Sequence, residues 1–236
     1  MKINGKLALL SLSVFMAFSL TACMNTKQAR YMDEKTKTVL VDRSLLDYGG
    51  YDEALLRYAN PKADYKKYTS VIIDPVMMFK PKNASKEEIA DLKTLSSNCY
   101  GYLVRELGSD FKIVKDPAPG VLKIQVAILD AETSDPTMDM LSTVLPFGAA
   151  FSVAKTFVTG KPSAVGEISG EMKITDATTG EVLFAGADRR AGGKGMSGIF
   201  DSWHDANAGM EYWAKKTRYV LCKERGGDKC DRPSNF

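Results

Sequence analysis

Hydrophobic and polar positions follow three patterns along this chain. The first is an unbroken apolar run from Leu7 to Leu20, with no charged residue inside it. The second is helical. Ile89, Leu92, Ser96, Cys99, Leu103 and Leu107 recur at the spacing that lines one face of a helix. Ser85-Lys86-Glu87-Glu88 forms a capping-box start for that helix, and Gly108 stops it. A last helix opens at Ser202-Trp203-His204-Asp205 and turns Met210, Trp213, Val220 and Leu221 inward.

The third pattern is the two-residue period of strands. Ser70-Val71-Ile72-Ile73 is a short β-branched run that ends at Asp74-Pro75, and Phe111 to Val114 is a second short strand. From Val121 to Leu129, Leu122, Ile124, Val126 and Ile128 share a face opposite Lys123 and Gln125. From Glu167 to Thr175, Ile168, Met172 and Ile174 face one way, while Glu167, Glu171 and Lys173 face the other. Asp176 to Gly180 is a hairpin turn, and Glu181 to Ala187 returns as the next strand. The order β-α-β-β-β-β-α predicts an α+β domain, a mainly antiparallel sheet with helices packed on it.

Position gives the first apolar run its meaning. Lys2 and Lys6 precede it, no acidic residue occurs before Cys23, and it ends at Leu20-Thr21-Ala22-Cys23. A positive start, a short apolar stretch and small residues at a cut describe a secretion signal rather than a membrane span. Leu20-Thr21-Ala22-Cys23 resembles the lipobox of bacterial lipoproteins, which implies cleavage after Ala22 and acylation of Cys23. Two or more acyl chains hold a protein firmly on a bilayer where one does not. Met24 stands where inner-membrane retention of enteric lipoproteins relies on Asp, so the outer membrane, with the domain facing the periplasm, is the expected address. The expected organisation is a signal peptide over 1–22, a lipidated tether and arm over 23–64, and one domain over 65–236.

Loss of residues 1–22 removes two lysines and takes the net charge from +3 to +1. That balance gives no electrostatic reason to expect nucleic acid as a partner. Three cysteines remain beyond Cys23. Cys222 and Cys230 flank a turn-forming loop and are the expected disulfide, worth about 2–3 kcal/mol by chain entropy. Cys99 lies on the apolar stripe of its helix as a small hydrophobe. No Cys-x-x-Cys or Cys/His cluster supports zinc, and no cofactor is expected.

Four segments together are distinctive: Leu55 to Pro61, Tyr68 to Val76, Leu141 to Pro146 and Asp188 to Lys194. In combination they resemble the bacterial lipoprotein family catalogued as domain of unknown function 3313, over about Tyr48 to Val220. The resemblance implies an envelope lipoprotein of Gram-negative bacteria. It supplies no activity and no catalytic residue.

Candidate chemistry is thin. Gly193 to Gly198 matches G-x-G-x-x-G, but no βαβ unit follows it, which leaves a glycine loop. His204 is the single histidine, and no nucleophile elbow accompanies it. Asp74, Asp130 and Glu132 are acids near strand ends. Asp188-Arg189-Arg190 suits an anion, a partner carboxylate or internal ion pairing. The segment from Met138 to Val158 is nearly uncharged and contains Pro146, which predicts a bent helix or two short helices. It packs over the sheet or docks on the bilayer or on a protein. Its edge at Pro146, Phe147 and Phe151 is expected to be the surface for an envelope protein partner. The expected function is therefore a non-enzymatic interaction or assembly lipoprotein, with a carrier of a small lipid or glycan ligand as the alternative.

Overall fold

The computed structural model describes residues 26–28, 38–80, 85–129, 139–142, 167–192 and 204–234. Cys23, Asp130, Glu132, the Gly193–Gly198 motif, Ser202 and the Pro146, Phe147, Phe151 edge lie outside these residues.

Ten strands and two α-helices occur among the described residues. They are β1 (Thr26–Gln28), β2 (Asp47–Tyr48), β3 (Leu56–Ala59), β4 (Ser70–Ile73), β5 (Met77–Lys80), α1 (Lys86–Leu107), β6 (Lys112–Ile113), β7 (Val121–Leu129), β8 (Asp139–Ser142), β9 (Glu167–Asp176), β10 (Val182–Gly192) and α2 (His204–Glu224). All ten strands join one mixed, mostly antiparallel sheet: seven run in the order β2-β3-β10-β9-β7-β4-β6, while β1 pairs with β10 and β5 pairs with β7 and β8. With the two helices packed on it, the fold is α+β.

The long strands β7, β9 and β10 form the centre, and each carries the alternation expected of it. Ile124 pairs with Ile174, which in turn pairs with Phe184. On the outer edge of β7, β4 and β5 lie end to end, both parallel to it. Asp74-Pro75-Val76 breaks that edge because proline cannot supply a ladder N–H. The freed Asp74 carboxylate accepts from Gln125 at 3.1 Å and pairs with Lys123 at 3.1 Å. Asp74 is thus a solvated brace.

Helix α1 buries most of the stripe read from its spacing: Ser96, Cys99, Leu103 and Leu107 are buried, and Ile89 and Leu92 are half-buried. Leu95, outside that stripe, is buried as well. Ser96 is tolerated there because its hydroxyl donates to the Val76 carbonyl at 2.9 Å. The helix stops where Gly108 N–H donates to the Val104 carbonyl and the chain turns into β6.

Two features differ from the sequence expectation. Asp139–Ser142 is a strand antiparallel to β5, not part of a helix. A neighbouring strand edge with unpaired N–H and C=O groups outweighs the local helical pattern there. Residues 26–28, 47–48 and 56–59, inside the expected arm, add strands to the central sheet beside β10. The chain between 38 and 46 then crosses the face opposite the helices. There Leu46, Leu56, Ala185 and Ala187 form a second, smaller core. The molecule has three layers: helices, sheet and arm.

The arm explains the fate of Glu171, expected on an exposed polar face but only 1% exposed. Its carboxylate accepts the N–H groups of Val39, Leu40 and Val41 at 2.7, 3.1 and 3.1 Å. Lys173, next on the same face, donates to the Leu40 carbonyl at 3.0 Å. Three consecutive backbone donors satisfy an acid that would otherwise be costly to bury.

Candidate functional site

A cavity of about 420 Å³ lies between α2 and the β9–β10 face of the sheet. Two glycines on neighbouring strands shape it. Gly170 on β9 has no side chain, so the Trp213 ring settles on the strand: a Cβ there would sit 2.7 Å from the ring. Gly186 on β10 lets the Phe184 ring and Ala54 approach the strand: a Cβ there would sit 3.1 and 3.2 Å from them. The walls are apolar: Val126, Met172 and Phe184 from the sheet, Met210, Trp213 and Leu221 from α2. Such a cavity has the size and lining of a small-molecule site.

Cys99 and Leu103 close the inner end. Burial pushes the Cys99 thiol up to about 12, so it stays protonated and serves as wall rather than nucleophile. The disulfide joins Cys222 to Cys230 at the far end of α2, leaving Cys99 as the free cysteine among the described residues.

Polar groups stand at defined places around this apolar space. Asp188 is buried, and its two oxygens accept from Gln28 of β1 at 2.7 Å and from the Trp213 indole N–H at 2.8 Å. Asp188 is the register partner of Gly170, so the glycine that admits the ring also places its N–H on the acid. Arg190 is 2% exposed and stacks on Tyr212, 3.5 Å from the ring centroid. Burial pulls its pKa below the ordinary value, while Tyr212 and Asp188 push it back up. Arg189 points to the opposite face, so the Asp188-Arg189-Arg190 run does not act as one anion site. Internal partners account for Asp188.

The rim is a loop from Gly49 to Leu55. Asp52 there has φ 65, the left-handed region. Its Oδ2 accepts from Lys216 of α2 at 2.6 Å and from Arg232 of the C-terminal tail at 2.5 Å. Glu53 pairs with Arg57 and accepts the Gly50 N–H at 2.8 Å, while its carbonyl accepts from Gln28 at 2.7 Å. Tyr51, at the tip, is 91% exposed.

Among the described residues, no group of three His, Cys, Asp or Glu side chains is placed to hold a metal, and no helix is long and apolar enough to cross a membrane. α2 begins at His204. Sequence reasoning passed over Asp52, Lys216, Arg232 and the pairing of Trp213 with Asp188. The signal within reach was glycine inside strands, which marks close approach of another group.

A comparison with curated proteins finds no match. Among solved structures, the chain is similar to a PelC dodecamer from Paraburkholderia phytofirmans, at 12% identity and a TM-score of 0.33, covering 73% of this chain and 96% of that one. It is also similar to a DUF4136 family protein from Bacteroides thetaiotaomicron, at 11% identity and a TM-score of 0.34, covering 66% of this chain and 92% of the other. The family described as Protein of unknown function (DUF3313) matches residues 35–217, most of the chain, and this protein belongs to it.

Proposed function

We propose that this protein is a lipid-anchored envelope protein whose domain holds one apolar tail of an amphipathic lipid in the α2 cavity. The supporting observation is the shape of the cavity. Its lining on α2 runs from Met210 to Glu224, about 21 Å at 1.5 Å per residue. One leaflet's tail occupies about 15 Å, half of a hydrocarbon core of about 30 Å. Each methylene buried contributes about 0.8 kcal/mol, so a single tail supplies ample affinity without catalytic groups. The cationic side chains of Arg57 and Lys216 at the rim suit an anionic head group left at the mouth. The cavity favours the carrier function over assembly, whose expected surface at Pro146, Phe147 and Phe151 is a separate part of the chain.

Anchoring at Cys23 is tested by palmitate labelling in cells. Cys23→Ala is expected to accumulate as an unlabelled, uncut precursor; a labelled mutant refutes the anchor.

Tail binding is tested on the mature anchored protein in vesicles, by energy transfer from tryptophan to a dansyl-labelled fatty acid. The wild type is expected to show saturable transfer, which Trp213→Phe reduces. Ala54 lines the cavity at the rim, and Ala54→Phe is expected to weaken binding at least tenfold with little change in Tm. No saturable transfer in the wild type refutes the carrier function.

A further inference from the structure

Asp52 joins three segments remote in sequence. It lies on the rim loop, Lys216 is in the middle of α2, and Arg232 is in the tail beyond the disulfide. The loop around it is short and self-contained: Gly49 N–H donates to the Leu55 carbonyl at 3.0 Å, and Glu53 N–H to that of Gly50 at 3.2 Å. Its tip residue, Tyr51, packs on almost nothing. Apolar contact therefore does little to hold the tip over α2, and the charged contacts of Asp52 span that gap.

The Asp52–Lys216 contact is not an ordinary surface pair. Its side chains are 10% and 18% exposed, so water screens their attraction poorly. Arg232, 54% exposed, adds a second cation from the solvent side. The residue pinned there also has a left-handed backbone, which non-glycine residues adopt at some cost. The charged contacts therefore hold Asp52 in a conformation its backbone alone does not favour. Residue 232 is within reach because Cys230 is tied back to Cys222 in the last turn of α2, with Cα atoms 5.7 Å apart. Gly227 makes this return possible: a Cβ there would meet the Cys222 sulfur at 2.7 Å.

We propose that the Gly49–Leu55 loop is a gate over the cavity, latched by Asp52 between Lys216 and Arg232, with the Cys222–Cys230 disulfide keeping Arg232 in place. This rests on the tail-binding function proposed above. The gate controls how fast a lipid tail enters and leaves, while the apolar walls set how tightly it is held. Release of a bound tail then requires the Asp52 contacts with Lys216 and Arg232 to open.

The test is stopped-flow energy transfer with the same dansyl fatty acid on the full anchored protein. Asp52→Asn keeps the side-chain shape and the tolerance for a left-handed backbone, and removes the charge. Association and dissociation rates are both expected to rise about tenfold, with Kd within about twofold of wild type. Arg232→Gln, and Cys222→Ser combined with Cys230→Ser, are expected to move both rates in the same direction by smaller factors. Unchanged rates with intact binding overturn the gate and leave tail binding standing. A weaker Kd with an unchanged association rate makes Asp52 a ligand contact, and also overturns the gate. A wild type that binds no probe overturns both proposals. Hydrogen exchange in the ligand-free protein gives an independent readout. The amides of residues 50–54 are expected to exchange at least fivefold faster in Asp52→Asn, and equal exchange overturns the latch whatever the probe shows.

Discussion

Glu171→Ala is expected to lower Tm by roughly 6–12 °C, because it strips the acceptor from three backbone donors at once. Val39, Leu40 and Val41 all donate to this carboxylate on a covered face of the sheet. A buried donor left unmade costs about 1–3 kcal/mol, and we take about 3 kcal/mol in total because the arm can partly detach and hydrate. For a domain of this size, 1 kcal/mol moves Tm by about 2–4 °C. The melting curve checks the size of the effect. Exchange at amides 39–41, expected to accelerate together, checks its location. If the variant melts within about 2 °C of wild type, the carboxylate does not hold the arm.

Glu171 also carries a pH signature with a definite sign. Burial raises its pKa above the ordinary 4.5, against the pull of the three N–H groups and Lys173. The folded protein therefore binds this proton more tightly than the unfolded chain does. Its contribution is fully present below pH 4.5 and is lost as pH rises through the raised value. Glu171→Gln is expected to flatten that part of the Tm profile, since the amide does not titrate.

The second large effect concerns Asp176, where the sign is reversed. Burial raises its pKa, but the N–H of Thr179, the hydroxyl of Tyr68, the N–H of Thr178 and the Lys67 ammonium outweigh burial and hold the carboxyl at about 2. The contacts are direct: Tyr68 donates at 2.8 Å, and the Thr178 and Thr179 N–H groups at 2.9 and 3.0 Å. Tyr68 is fully buried, so its hydroxyl has no water to turn to. A depressed carboxyl contributes stability above its ordinary 3.8 and loses it as pH falls toward 2. Asp176→Asn is expected to lower Tm near neutrality by roughly 3–12 °C, from the loss of a charge-assisted hydrogen bond worth about 1.5–3 kcal/mol. As pH falls to about 2 the variant and wild type are expected to converge. Parallel curves down to pH 2 would show that the contacts do not favour the ionised form.

The same residue shows why some of this was legible beforehand. Asp176 begins a hairpin turn recognisable from five consecutive residues, and Gly180, with φ 76, completes it. What the turn does beyond closing β9 on β10 depends on Tyr68, 108 positions away. The candidate site is less legible still. Gly170, Gly186 and Trp213 are unremarkable separately, and they make a cavity only when β9, β10 and α2 are stacked. The clasp on Asp52 spans 164 positions to Lys216 and 180 to Arg232, with no local pattern to mark it.

Sequence alone determined the parts governed by neighbours along the chain. Helical spacing placed α1 and its buried face, alternation placed β7 and β9, and a nine-residue closure paired Cys222 with Cys230. In each case the decisive interaction lies within a turn, a strand or a short loop, so local propensity and global fold agree. Tertiary structure decided the rest. The segment containing β2 and β3 has too few apolar residues to announce strands, and becomes sheet because β10 offers an open edge. The charge of Glu171 reads as exposed, yet the residue is buried, since three N–H groups of a distant segment replace water. Burial of a polar group depends on what comes to meet it, and that partner is chosen only when the chain is folded.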